Sequence, residues 1–220
     1  KSCFVPLTVG GGISSVEDVR QIIRAGADKV SINTNAIKDP AIITKIADIF
    51  GSQCAVVSMD CKLDDDGVYR VYSDSGKSPT NLSAKEWAKK VEKLGAGEIF
   101  LNSIDRDGSK KGYDNNLIKL VSNAVSIPVI ACGGVGNFSH FSSGILEGGA
   151  SAVAAGNIFH YIEHSTIVAK MNLLQSGINV RMDSEATYEG RQFDENGRLM
   201  MMSGKDLSKI ELNKGSKDII

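Results

Sequence analysis

Short apolar runs alternate with amphipathic stretches along most of the chain. The runs are Val5–Val9, Val30–Asn33, Ala55–Asp60, Ile99–Ser103, Ile127–Cys132 and Ala152–Ala155, each of strand length and apolar enough to be covered on both faces. Between them, apolar residues recur at helical spacing, as in Val19, Ile22 and Ile23 and again in Ile42, Ile43, Ile46 and Ile49, so each helix has one face for a sheet. Caps mark the helix starts: Ser15 before Val16-Glu17-Asp18, Asp39 with Pro40 at the first helical position, the Ser83-x-x-Glu86 capping box, then Asp114 and Asn137. Strict alternation of strand and helix predicts a parallel sheet with helical crossovers, an α/β fold. One insertion breaks the rhythm: in Lys62–Thr80, Asp64-Asp65-Asp66-Gly67 precedes the alternating Val68-Tyr69-Arg70-Val71-Tyr72, which predicts a hairpin between a strand and the next helix. The pattern stops after Asp183, so residues 1–183 read as one domain and Ser184–Ile220 as a polar extension, a hairpin or a loose tail.

The chain repeats itself. Pro6-Leu-Thr-Val-Gly-Gly-Gly-Ile13 matches Pro128-Val-Ile-Ala-Cys-Gly-Gly-Val135, and Arg24-Ala-Gly-Ala-Asp-Lys-Val30 matches Glu147-Gly-Gly-Ala-Ser-Ala-Val153. Gly12 and Gly134 are 122 apart and Gly26 and Gly149 are 123 apart, so the copies keep register with one inserted residue. Each copy is two βα units. The two strands between them, ending in Asp60 and Asp105, have no counterparts in the chain. A duplicated half-barrel would supply those counterparts upstream. The expectation is a (βα)8 barrel of which this sequence carries strands three to eight, with about two βα units preceding residue 1.

Charge narrows the partners. Twenty-five basic and 26 acidic residues leave a net charge of −1, with pI near 6.4, which predicts neither a nucleic-acid nor an anionic-membrane partner. No apolar run approaches the roughly 20 residues of a membrane span, and Lys1-Ser2-Cys3-Phe4 does not open a signal peptide. A cytoplasmic location is expected. Cys3, Cys54, Cys61 and Cys132 lack zinc-site spacing and read as free thiols, and His140, His160 and His164 fall on predicted helices rather than in strand-end loops. No metal or cofactor is expected.

Parallel βα folds place chemistry at the carboxyl ends of their strands. Gly10-Gly11-Gly12 and Gly133-Gly134 follow strands at matching places in the repeat, where glycine lets backbone N–H groups approach an anion. Either turn alone could be only a tight bend, but two matching turns suggest two phosphates and an elongated bisphosphate between them. Asn33-Thr34 and Gly156-Asn157 end the next strand of each copy and could complete each cradle. Asp60 closes the apolar run Ala55–Met59, a place where a partly desolvated carboxylate serves as general acid or base. Asp105 and Asp107 flank Arg106 at the corresponding place on the next strand, with ordinary capping or loop hydrogen bonds as the alternative use. Lys29 and Glu98 enter two strands at the opposite end, where charged residues usually form structural ion pairs.

Leu7–Ile13, Ala27–Thr34, Phe50-Gly-Ser-Gln53, Gly95-Ala-Gly-Glu98 and Ser103-Ile-Asp-Arg-Asp-Gly108 closely resemble the cyclase family of imidazole glycerol phosphate synthases over roughly Phe4 to Asp183. The resemblance implies an ammonia-dependent lyase of histidine biosynthesis, working in a heterodimer with a glutaminase subunit. It implies that a bisphosphate formimino-aminoimidazole carboxamide ribonucleotide is converted to imidazole glycerol phosphate and aminoimidazole carboxamide ribonucleotide. By position, it makes Asp60 a catalytic aspartate, with the family's other aspartate on strand one, ahead of residue 1; Asp107, at the end of the next strand, is taken from its placement as a second catalytic carboxylate for moving protons. It assigns Gly12, Asn33 and Thr34 to one phosphate site, and Gly108, Gly133, Gly134, Ala155 and Gly156 to the other. Asn102 takes a place near the substrate where threonine is usual, and Lys29 and Glu98 match two members of a charged ammonia gate. Ala154-Ala-Gly-Asn-Ile-Phe-His160 resembles paralogues of surface-polysaccharide amidation. That amidotransferase subunit, an inactive shortened barrel and an ammonia-independent sugar isomerase of the same superfamily are the alternatives.

Overall fold

The structure, a computed structural model, describes residues 5–160, 165–182, 192–195 and 198–200. Six parallel strands run β1 (Thr8–Gly10), β2 (Lys29–Ile32), β3 (Ala55–Leu63), β6 (Glu98–Ser103), β7 (Val129–Cys132) and β8 (Ala152–Val153), paired in that order. Their crossovers are α1 (Val16–Arg24), α2 (Thr34–Lys38) with α3 (Ala41–Phe50), α4 (Ala84–Lys93), α5 (Asn115–Ser122) and α6 (Ser139–Leu146); α7 (Ser165–Gln175) packs on α6. This is the expected (βα)8 architecture in part: six parallel strands with helices on one face. Among the described residues, β1 and β8 are the ends of the sheet path.

Alternation along each strand separates two environments. Val57, Met59 and Cys61 of β3, Ile99 and Leu101 of β6 and Ala131 of β7 are at most 1% exposed and share one apolar cluster with the helices. The alternate positions Ser31, Ser58, Asp60, Phe100, Asn102 and Ile130 face the concave side and keep partial exposure. Burying each large outer side chain contributes roughly 1.5–3 kcal/mol, so the helical layer holds the sheet and leaves the inner face free for polar residues.

The internal repeat reappears as strand register. In the first copy Thr8 pairs with Lys29, 21 residues on; in the second Ile130 pairs with Ala152, 22 residues on. The single inserted residue is absorbed in the crossover, and both pairs superimpose on the sequence match.

Local signals held with small shifts. Ser15 and Asp18 form a full capping box, and Asp114 caps α5 through the Leu117 N–H at 3.1 Å. Ser83 accepts from the Glu86 N–H at 3.3 Å, while the Glu86 carboxylate turns to Lys89. Pro40 stands at the cap of α3 rather than one residue inside it, and Asn137 does not cap α6, since its amide oxygen takes the Ser139 hydroxyl at 2.6 Å. The insertion forms β4 (Tyr69–Ser73) and β5 (Ser78–Ser83), antiparallel to each other, with β4 antiparallel to the extended end of β3. Gly67 makes the turn at φ +78°. Arg70 grips Asp64 and Asp66 within it, holding the Asp66 carboxyl at about 2, well below the usual range.

Among the described residues, no helix is long and apolar enough to cross a membrane. The expected boundary at 183–184, most of 184–220, Cys3 and His164 lie outside the described residues. Phe193 and Leu199 form one antiparallel bridge.

Candidate active site

The carboxyl ends of β1, β2 and β3 converge on a cavity of ≈ 750 Å³ that runs down the inner face to Glu98. Gly11 and Gly12 form its rim at φ +105° and +69°, with nothing within 4 Å of the place a Cβ would occupy. Such a turn suits glycine for its backbone sign alone, and its amides border open space. Asn35, on the short α2, donates its side-chain amide to the Ile13 carbonyl and so ties the glycine turn to the end of β2.

Asp60 projects into this cavity from β3. Asn33 Nδ2 donates to its Oδ2 at 2.9 Å and Asn102 Nδ2 to its Oδ1 at 3.2 Å. Burial raises the Asp60 carboxyl above the usual aspartate range; the two amides pull it back in part, and the negative charge of Asp107 adds to the rise. A carboxylate that is partly desolvated but hydrogen-bonded through both oxygens is equipped to take a proton and return it.

Thr34 stands beside Asn33 and accepts the Asp74 N–H at 2.9 Å. This contact brings the tip of the β4–β5 hairpin, Asp74 and Ser75, into the cavity wall. Sequence reading placed the hairpin but missed its tip as a site element; the signal in the sequence is the turn-forming triplet Asp74-Ser75-Gly76, and the structure puts all three at positive φ. Ser58 and Phe100 are further inner-face residues it did not single out.

The second half of the repeat is built differently. Gly133 and Gly134 are buried. A Cβ on Gly134 would stand 2.3 Å from the Gly112 carbonyl oxygen, and the Gly112 N–H donates to the Gly134 carbonyl at 2.8 Å. These two glycines serve close packing, whereas Gly108 and Gly156, with nothing within 4 Å of a Cβ, are the open ones on this side. Ala155 sits next to Gly156, and the Tyr113 hydroxyl donates to the Ala154 carbonyl at 2.9 Å. Asp107, Gly108, Gly133, Gly134, Ala155 and Gly156 do not line the cavity around Gly12 and Asp60. Asp105 has a loop role, accepting the Leu63 N–H at 3.1 Å, which leaves Asp107 as the aspartate whose charge reaches Asp60 and Cys132.

At the floor, Lys29 Nζ pairs with Glu98 Oε1, and both side chains are mostly buried at 27% and 20% exposure. Glu98 lines the cavity. His140 is on α6, where its Nδ1 takes the Gly136 N–H at 3.1 Å, and burial lowers its pKa; His160 ends a 3-10 turn. Burial also pushes the Cys132 thiol up, and no group of three or more metal-ligating side chains occurs among the described residues.

Strand-end glycines, an aspartate inside the mouth and a charged floor define a partial βα barrel with one polar cavity on its concave side. Residues 1–165 match the family of histidine biosynthesis proteins, and the chain belongs to that family. It is a homologue of HisF, a subunit of imidazole glycerol phosphate synthase. It is 54% identical over 179 residues to the HisF subunit of Chlorobium luteolum and 53% identical over 179 residues to that of Pelodictyon phaeoclathratiforme, covering 81% of this chain and 71% of each relative. A Vibrio vulnificus protein whose name points to subunit hisF2 of the same enzyme is 50% identical over 198 residues, 90% of this chain and 72% of that protein.

Proposed function

We propose that this protein is a cytoplasmic, ammonia-using cyclase subunit. It would take ammonia from a glutaminase partner and convert a bisphosphate formimino-aminoimidazole carboxamide ribonucleotide to imidazole glycerol phosphate and aminoimidazole carboxamide ribonucleotide. The observation that carries the reading is Asp60, held through both oxygens inside the mouth beside the open Gly11-Gly12 turn. In this reading Asp60 moves the proton, with the charge of Asp107 nearby. Gly12, Asn33 and Thr34 bind one phosphate; the open Gly108 and Gly156, with Ala155, bind the other, and the packed Gly133-Gly134 turn supports that site. Lys29 and Glu98 control ammonia entry at the floor. Residues 1–183 carry the activity and 184–220 form an extension. Asp60→Asn should lower ammonia-dependent turnover by about 100-fold or more, the usual range for a positioned acid or base; a near-normal rate would remove Asp60 from the mechanism.

A second reading, ammonia delivery to a polysaccharide sugar, is favoured by Ala154–His160 and by Asn102 at a place where threonine is usual. Growth of a histidine auxotroph carrying the gene supports the first reading, and failure to grow with soluble protein present supports the second.

A further inference from the structure

Asp60 is flanked on both sides. Asn102 is its register partner on β6, and Asn33 follows β2 on the other side. Each amide turns its NH2 to one carboxylate oxygen, and as a result Asn33 Oδ1 and Asn102 Oδ1 are buried without a hydrogen-bond partner. Buried amide oxygens left unpaired are uncommon and call for a reason. Here the reason is electrostatic. Rotating either amide by half a turn would face its oxygen to an ionised carboxylate, so the orphaned oxygens follow from the two donors. Amides on opposite sides also fix the plane of the carboxylate, which one donor alone would let turn.

The Asn102 amide needs space to lie this way. Gly133 at the end of β7 has φ +93°, and a Cβ there would stand 2.7 Å from Asn102 Oδ1 and 2.9 Å from the Ser103 carbonyl oxygen. Only glycine meets both the backbone sign and the approach.

We propose that Asn33 and Asn102 are positioning residues that clamp the Asp60 carboxylate in its charged form and aim it into the cavity, and that Gly133 is required as glycine to seat the Asn102 amide. The proposal rests on the reading of Asp60 as the proton-moving group. It assigns to Asn33 a second duty and to Gly133 a steric one, separate from contact with an anion. Other ionisable groups within electrostatic reach of Asp60 are Asp107 from the loop after β6, whose charge works against the clamp, and the thiols of Cys132 and of Cys61, the latter on the opposite face of β3, both raised by burial and therefore neutral at pH 7. Tyr72, across from Asp60 on β4, gives its hydroxyl to Asp64 at 2.8 Å.

The test is the titration of Asp60 in the full 220-residue chain, followed by carboxyl carbon-13 NMR on aspartate-labelled protein, with the signal assigned by its loss in Asp60→Asn. Asn102→Ala should move the midpoint up by about one pH unit, as expected for one lost hydrogen bond to a charged group. Asn33→Ala should move it in the same direction, and Gly133→Ala should shift it too, with no added effect on top of Asn102→Ala. Asn102→Thr, whose hydroxyl keeps one donor, should shift it less than Asn102→Ala. A midpoint within about 0.2 unit of wild type in the folded Asn102→Ala or Asn33→Ala protein overturns the clamp. If Gly133→Ala lowers the melting temperature without moving Asp60, Gly133 is structural only. Turnover is not the readout. A shifted midpoint together with full activity in Asp60→Asn would sink the catalytic reading and leave the clamp standing.

Discussion

Gly12 and Gly134 occupy matching places in the repeat, yet alanine at the two positions should have unequal effects. Both have positive φ, +69° at Gly12 and +103° at Gly134, and forcing an L side chain into that region costs roughly 1–2 kcal/mol. Gly12→Ala adds nothing more, since its Cβ would meet open space. Gly134→Ala adds a Cβ 2.3 Å from the Gly112 carbonyl oxygen and 2.9 Å from Arg106 Cβ. Overpacking of that kind costs a further 1–3 kcal/mol or so, and the Gly112-to-Gly134 hydrogen bond at 2.8 Å is pushed apart with it. Urea unfolding followed by circular dichroism reads the difference. With a slope of about 2 kcal/mol per molar urea, the Gly134→Ala midpoint should lie about 0.5–1.5 M below that of Gly12→Ala. Inorganic sulfate, a stand-in for phosphate, should separate them in the opposite sense: Gly12→Ala should weaken protection of the fold by sulfate, because its amides border the cavity. Equal urea midpoints for the two variants would refute the assignment of one turn to open space and the other to packing.

Three further outcomes follow from the same geometry. Burial raises the Asp60 carboxyl in the folded state, so the folded chain binds that proton more tightly than the unfolded one; charged Asp60 therefore lowers stability at neutral pH, and acidification toward 3.8 relieves it. Asp60→Asn should accordingly unfold at a higher urea concentration than wild type at pH 7, with the gap closing as pH falls toward 4, and a gap that widens on acidification contradicts the sign. Lys29→Met should destabilise by about 1–3 kcal/mol by leaving the mostly buried Glu98 unpaired, and Lys29→Met with Glu98→Leu should recover part of it, measured as a double-mutant cycle. Thr34→Ala removes the acceptor for the Asp74 N–H and should speed amide hydrogen exchange at the hairpin tip, while Thr34→Ser should leave it slow.

What the sequence determined is what neighbours along the chain decide. Alternation, caps and the turn glycine act within a few residues, so the six strands, the caps at Ser15 and Asp114 and the β4–β5 hairpin were legible, and so was the one-residue offset between the copies that returns as register 21 against 22. Asp60 was legible too, as the polar end of an apolar strand. The tertiary structure decided the rest. Gly12 and Gly134 have the same sequence context, but one borders a cavity and the other a carbonyl from a loop 22 residues earlier in the chain, Gly112. Asn33 and Asn102 are 27 and 42 residues from Asp60 and carry no local signal of their hydrogen bonds to it. Thr34 meets Asp74 only because the hairpin folds back over the mouth. Hydrogen bonds and steric limits across strands depend on how the helical layer sets the sheet, and no window of a few residues contains that information.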